Sequence, residues 1–183
     1  SARRMTELVN AILDVNRLES GRMPLQRKLV AINLLAMDVM QMETAVASEK
    51  GIRTENDVPM SLPGVWADEA LIRRVLQNLI GNAIKFTPPG GCVRLSARSE
   101  DEPKRQVVLS VSDTGTGIPP EIQPRLFQKF AAGEQEEHGS GLGLAFCKLA
   151  VEAHEGRIWV ESTSEHGTTI AFSLAATEGD RIA

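Results

Sequence analysis

Asn78-Leu-Ile-Gly-Asn82-Ala-Ile-Lys85-Phe86-Thr-Pro88-Pro89-Gly90-Gly91 is the stretch from which the architecture of this chain is read. Ile72, Val75, Leu76, Leu79 and Ala83 recur at the three-and-four spacing of one buried helical face. Arg74, Asn78, Asn82 and Lys85 follow at spacings of four, four and three, which lays a polar stripe along another face of the same helix. Asp68 stands where an N-cap belongs, and the Pro-Pro-Gly-Gly run turns the chain away after Lys85. Two asparagines on one stripe also suit a merely solvated face, so the helix alone leaves its role open.

Outward from this helix the pattern alternates. Upstream, Leu29 to Asn33 reads as a strand, Leu34 to Glu49 as a helix, Ile52 to Val58 as a strand closed by Pro59, and Val65-Trp66-Ala67 as a short strand. Downstream, Val93 to Arg98 and Gln106 to Ser112 form a strand pair around the charged loop Glu100 to Lys104. Leu142 to His154 is helical, Arg157 to Glu161 and Thr168 to Leu174 are closing strands, and Thr177 to Ala183 has little reason to be ordered. At the N-terminus Met5, Leu8, Ile12 and Val15, with Val9 and Leu18 beside them, give a bundle-type stripe stopped by Gly21 and Pro24. A single helix of this length is marginal in water, so its stripe requires partners.

Two further segments carry chemistry. Asp113-Thr-Gly115-Thr-Gly117 follows a strand and has one carboxylate among glycines, without the further acidic positions of a calcium loop. Gly139-Ser140-Gly141-Leu142-Gly143 opens the helix of Leu142, Ala145, Phe146 and Leu149. It is no dinucleotide fingerprint, because an acidic loop, Gly133 to Glu137, precedes it instead of a strand. Free N–H groups at such a helix start hold phosphate oxygens well. A plain turn and a flexible linker remain the alternatives for each segment alone.

The ordered set, with Phe127 and Phe130 between the second and third segments, resembles the catalytic and ATP-binding domain of sensor histidine kinases, within the gyrase, chaperone, kinase and MutL superfamily. The resemblance covers roughly Leu25 to Leu174. It implies a two-layer α/β sandwich, a mixed, mainly antiparallel sheet covered on one face by helices in a Bergerat-type ATP-binding fold, plus an N-terminal helix. It also implies a division into 1–23, part of a dimerisation and phosphoacceptor hairpin, 24–176, the catalytic domain, and 177–183, a tail.

By the same resemblance Asn82 and Asn78 are the Mg²⁺ residues, and Lys85, with Asn78, serves catalysis at the phosphates. The ATP set adds Phe86, Asp113, Gly115, Gly117, Ile118, Phe127, Phe130, Ser140, Gly141, Leu142, Gly143, Leu144 and Thr168. Asp113 accepts the adenine amine while Gly115 and Gly117 let backbone approach the base, and Gly133 to His138 forms a movable lid with Phe127 and Phe130 as apolar hinge anchors. Where many relatives carry an aromatic and then a basic residue, this chain has Ala131 and Ala132, with Glu134, Glu136 and Glu137 beyond. Lys129 is a substitute cation. The gyrase-type and chaperone-type ATPases place a glutamate base where Asn78 stands, which favours a kinase. A pseudokinase that binds ATP and signals by shape alone stays open.

No histidine here has acceptor context. His154-Glu155 imitates the start of the acceptor motif, but Gly156 follows at once and position 159 is Trp. His154 reads instead as a helix C-terminal residue, favourable at the negative dipole end. The acceptor is therefore placed outside these residues, on the hairpin of the same protein, a homodimer when whole, with a response regulator receiver domain as the next partner. A net charge of -4 over 183 residues argues against nucleic acid as a partner. Cys92 and Cys147 have no metal or disulfide spacing and read as packing residues. No stretch approaches the ~20 apolar residues of a membrane span, so the fragment reads as cytoplasmic and without membrane contact, with a membrane anchor elsewhere in the full-length parent left open.

Overall fold

The computed structural model describes residues 2–131 and 141–181. In chain order it contains α1 (Ala2–Glu19), β1 (Lys28–Val30), α2 (Ile32–Glu49), β2 (Arg53–Asp57), β3 (Pro63–Ala67), α3 (Glu69–Phe86), β4 (Cys92–Glu100) and β5 (Gln106–Asp113). A 3₁₀ turn at Gln123–Arg125, α4 (Gly143–Ala153), β6 (Ile158–Ser164) and β7 (Gly167–Arg181) complete it. The strands form one sheet in the order β1-β3-β7-β5-β4-β2, with β6 also paired to β7. Every pairing is antiparallel except β2 with β4. The chain is thus the α/β arrangement that its motifs imply: a mixed, mainly antiparallel sheet packed against helices.

Leu95, Leu109, Phe172 and Leu174 from the strands meet Val39, Ile72, Leu76 and Phe146 from α2, α3 and α4 in a single core. The helical periodicity decides where α2 starts. Ile32, Leu35, Ala36, Val39 and Met40 are all buried, so Ile32 and Asn33 join the helix instead of prolonging β1 as the sequence reading has it.

β7 also departs from expectation. Residues 177–181, expected to be unordered, continue the strand to Arg181. β3 supplies the backbone partner, with Val65 opposite Ala176, and the Thr177 hydroxyl donates to the Gly64 carbonyl at 3.1 Å.

α1 docks by one end only. Val15 is 1% exposed and Leu18 packs against the core, whereas Met5 and Val9 remain 69% and 49% exposed. No helix among the described residues is long and apolar enough to cross a membrane.

Candidate active site

α3 is the wall on which the site is built. Asp68 closes its start: Oδ1 accepts the Leu71 N–H at 3.2 Å and Oδ2 the Gln26 N–H at 3.0 Å. The Asp68 N–H in turn donates to His154 Nε2 at 3.0 Å. Since that nitrogen accepts, and Nδ1 lies 2.6 Å from the Ala150 carbonyl, Nδ1 carries the proton and the ring is neutral. Burial pushes the His154 pKa down. His154 is the C-cap of α4, but the charge–dipole role expected of it is corrected: it is an uncharged, buried bracket between α4 and α3.

Ile72, Val75, Leu76, Leu79, Ile80, Ala83 and Ile84 of α3 enter the core. Asn78, Asn82, Lys85 and Phe86 line an open groove of about 630 Å³, joined by Lys50, Gln77 and Gly81. That volume suits a small-molecule ligand. Asn78 reaches α4, where its Oδ1 would lie 3.2 Å from a Cβ at position 143, a tight approach that glycine relieves, while the neighbouring Cys147 thiol donates to the Val75 carbonyl of α3 at 3.7 Å. Cys147 itself is wholly buried, with its thiol pushed up to about 12 by desolvation, and so is a packing residue. Arg74 leaves the stripe, because Nη1 bonds Asp14 Oδ2 of α1 at 2.5 Å and the guanidinium stacks 4.0 Å above the Phe146 ring.

The second cluster lies where β5 ends. Asp113 stands between Val93 of β4 and Thr168 of β7, half-buried. Its Oδ1 accepts two backbone N–H groups, from Gly115 at 2.8 Å and from Thr168 at 3.3 Å. Burial pushes its carboxyl above the usual range, and these two donors draw it partly back. The turn is held from the other side by Thr163, whose hydroxyl accepts the Ile118 N–H at 2.9 Å and lies 3.0 Å from the Thr168 hydroxyl.

The glycines here serve the chain's own packing, a reason the sequence reading did not include. A Cβ on Gly115 would come within 2.6 Å of the Phe86 carbonyl oxygen. Gly117 has φ +78 and faces the Ser164 carbonyl with no space for a side chain.

The third cluster is the start of α4. Leu142 is buried, and the first helical bond runs from the Phe146 N–H to its carbonyl at 2.8 Å. Gly143, Leu144 and Ala145 therefore present N–H groups with no acceptor inside the helix. The Gly141 carbonyl accepts the Phe130 N–H at 2.9 Å, which fixes the approach to that end. Of the two hinge phenylalanines, Phe127 packs on the core, whereas Phe130 is 56% exposed and takes φ 58. Lys129 pairs with Glu19 of α1 at 2.6 Å. Ser140, Ala132, Gly139 and the lid segment 133–138 lie outside the described residues.

The three clusters meet on α3: Asn78 touches the start of α4, and the Phe86 carbonyl lies against the Asp113 turn. Sequence reasoning missed Lys50, Gly167 and Thr163. Gly167, with φ +139, abuts the Asp113 carbonyl, and a glycine directly before Thr168 was the signal for it. Thr163 had no local signal, since its position depends on the register of β6 against β7.

The family described as Histidine kinase-, DNA gyrase B-, and HSP90-like ATPase matches residues 67–178, which contain all three clusters. Adaptive-response sensory kinase SasA of Microcystis aeruginosa is 37% identical over 172 residues, 93% of this chain and 44% of that protein. The Non-motile and phage-resistance protein of Caulobacter vibrioides is 34% identical over 186 residues, 99% of this chain and 22% of that protein. The chain thus spans less than half the length of these curated relatives. Full-length ShkA in complex with AMPPNP superposes with a TM-score of 0.84 at 33% identity, over 96% of this chain and 37% of that one. The nucleotide-free catalytic domain of histidine kinase ThkA gives 0.69 at 26% identity, over 83% and 97%.

Proposed function

This chain belongs to the histidine kinase-, DNA gyrase B-, and HSP90-like ATPase family, as the ATP-binding catalytic domain of a sensor histidine kinase. On that footing we propose that it binds Mg-ATP along α3 and transfers the γ-phosphoryl group to a histidine carried on a hairpin of the same protein. A ring nitrogen of that histidine forms the new N–P bond as the bond to the ADP oxygen breaks, and a response regulator aspartate receives the group next. Residues 1–23 are then the end of the hairpin and the catalytic domain runs from 24 through the end of β7, in a cytoplasmic setting.

Asp113 is the observation that carries this reading. Both backbone donors fall on Oδ1, so Oδ2 is the oxygen left to accept an exocyclic amine. A carboxylate that only accepts selects adenine over guanine at that edge. Asn82, Asn78 and Lys85 line the groove and bring two carboxamides and an ammonium to it, a set that suits a hard cation already sharing phosphate oxygens. No cluster of three carboxylate, histidine or cysteine ligands occurs among the described residues, and a metal arriving with its nucleotide needs none. Mg²⁺ supplies charge compensation at the phosphates when bound. Lys85 adds a cation, and the open N–H groups of Gly143 to Ala145 hold phosphate oxygen.

Asn78 supports transfer over hydrolysis. A neutral carboxamide cannot take a proton from water, so the residue that would be the base of an ATPase is absent from its place. The pseudokinase reading draws support from Lys129, the substitute cation, which is paired with Glu19 of α1.

The test supplies γ-labelled ATP, the chain and a separate acceptor hairpin. Acid-labile label on the hairpin histidine and none on the chain is the expected result, with Asn82→Ala removing the magnesium dependence of ATP binding. Stable label on the chain itself, or released phosphate alone, overturns the reading.

A further inference from the structure

We propose that Lys50, at the C-cap of α2, is a phosphate-facing residue of the nucleotide site. The inference rests on the nucleotide reading above and adds a residue 35 positions away from Lys85, outside all three sequence motifs.

The backbone places Lys50 firmly. Its N–H closes α2 on the Ala47 carbonyl at 3.0 Å, and Gly51, with φ +69, then reverses the chain. That reversal is stapled to the turn that ends α3: the Gly90 N–H donates to the Gly51 carbonyl at 2.8 Å and the Arg53 N–H to the Gly91 carbonyl at 2.9 Å. Two turns distant in sequence are thereby locked side by side, so Lys50 lines the same groove as Gln77, Gly81 and Lys85.

Charge accounting then singles it out. A triphosphate needs several cations even with its metal bound. Arg74 is engaged by Asp14, Arg73 by Glu69 and Asp38, and Lys129 by Glu19. Lys50 makes no ion pair or side-chain hydrogen bond among the described residues, and it sits beside the groove in a chain whose net charge is -4. Its flexible stem lets a compact ammonium follow a phosphate without disturbing α2. The position also answers the absence of a basic residue at 132: compensation enters from the C-terminal end of α2 instead.

The experiment titrates ATP, AMP and adenosine, each with Mg²⁺, into the wild-type chain and into Lys50→Ala, Lys50→Gln and Lys50→Arg by calorimetry. Loss of one exposed charge-assisted contact predicts an ATP affinity about threefold to tenfold weaker in Lys50→Ala and Lys50→Gln. Adenosine should be unchanged, and Lys50→Arg should retain most of the ATP affinity. Raising the salt concentration should shrink the difference between wild type and Lys50→Ala. Equal weakening of adenosine would mean that the turn itself was disturbed, and unchanged ATP affinity would mean that no phosphate is met; either overturns the assignment. The nucleotide reading is judged separately, by whether the wild-type chain binds ATP and Asp113→Asn loses it, so Lys50 can fail while that reading stands.

Discussion

Replacing Asp113 with asparagine removes one charge and leaves the shape of the side chain in place. The amide oxygen of the variant still accepts from Gly115 and Thr168, the two bonds now made by Oδ1 at 2.8 and 3.3 Å. What changes is the second position, where an acceptor becomes an NH₂ donor facing the adenine amine. A hydrogen bond to a charged group contributes about 1.5–3 kcal/mol, so ATP and ADP should both bind about 10- to 150-fold more weakly.

Stability should move the other way. Burial raises the carboxyl pKa in the folded chain, so the native state holds the proton more tightly than the unfolded one. The stability linked to this group is complete below the ordinary aspartate range and is lost as pH rises through the raised folded-state value. At neutral pH the wild type carries that penalty and the asparagine variant does not. Calorimetric titration with ATP and ADP, paired with thermal melts of the ligand-free proteins at pH 7, separates the two effects. Unchanged affinity for both nucleotides would refute the adenine role, and a ligand-free variant melting well below wild type would refute the burial argument.

The remaining predictions concern the scaffold. Gly117→Ala places a Cβ against the Ser164 carbonyl at φ +78 and should remove about 2–3 kcal/mol of stability, read from denaturant midpoints, whereas Gly81→Ala, with open space around its Cβ, should be neutral or stabilising. His154 has the opposite linkage to Asp113: its folded-state pKa is lowered, the unfolded chain takes the proton first, and stability that is complete above the ordinary histidine value of about 6.5 falls as pH drops through the window beneath it. Melts at pH 7.5 and 5.5 should show a larger acid loss for wild type than for His154→Gln, whose amide oxygen can still accept the Asp68 N–H. Equal losses would mean that His154 is not the titrating bracket.

The faces of α3, its Asp68 cap and its termination were legible in the sequence because each depends on residues within a few turns of one another. The Asp113 turn was legible for the same reason: a strand, a carboxylate and two glycines are contiguous, and the Gly115 bond closes within two residues. Chain order alone also placed the glycine run at the start of α4.

Tertiary structure decided which of those residues work together and with whom. Arg74 belongs to the asparagine stripe by periodicity, yet the docking of Val15 brings Asp14 within reach and removes that guanidinium from the groove. Lys129 meets Glu19 across 110 residues, Thr163 supports the Asp113 turn only in the observed β6–β7 register, and Lys50 reaches the groove only because two turns are stapled together. Local spacing fixes the face of a helix on which a side chain lies. Its partner is chosen by the burial of apolar surface elsewhere in the chain, and no local pattern encodes that choice.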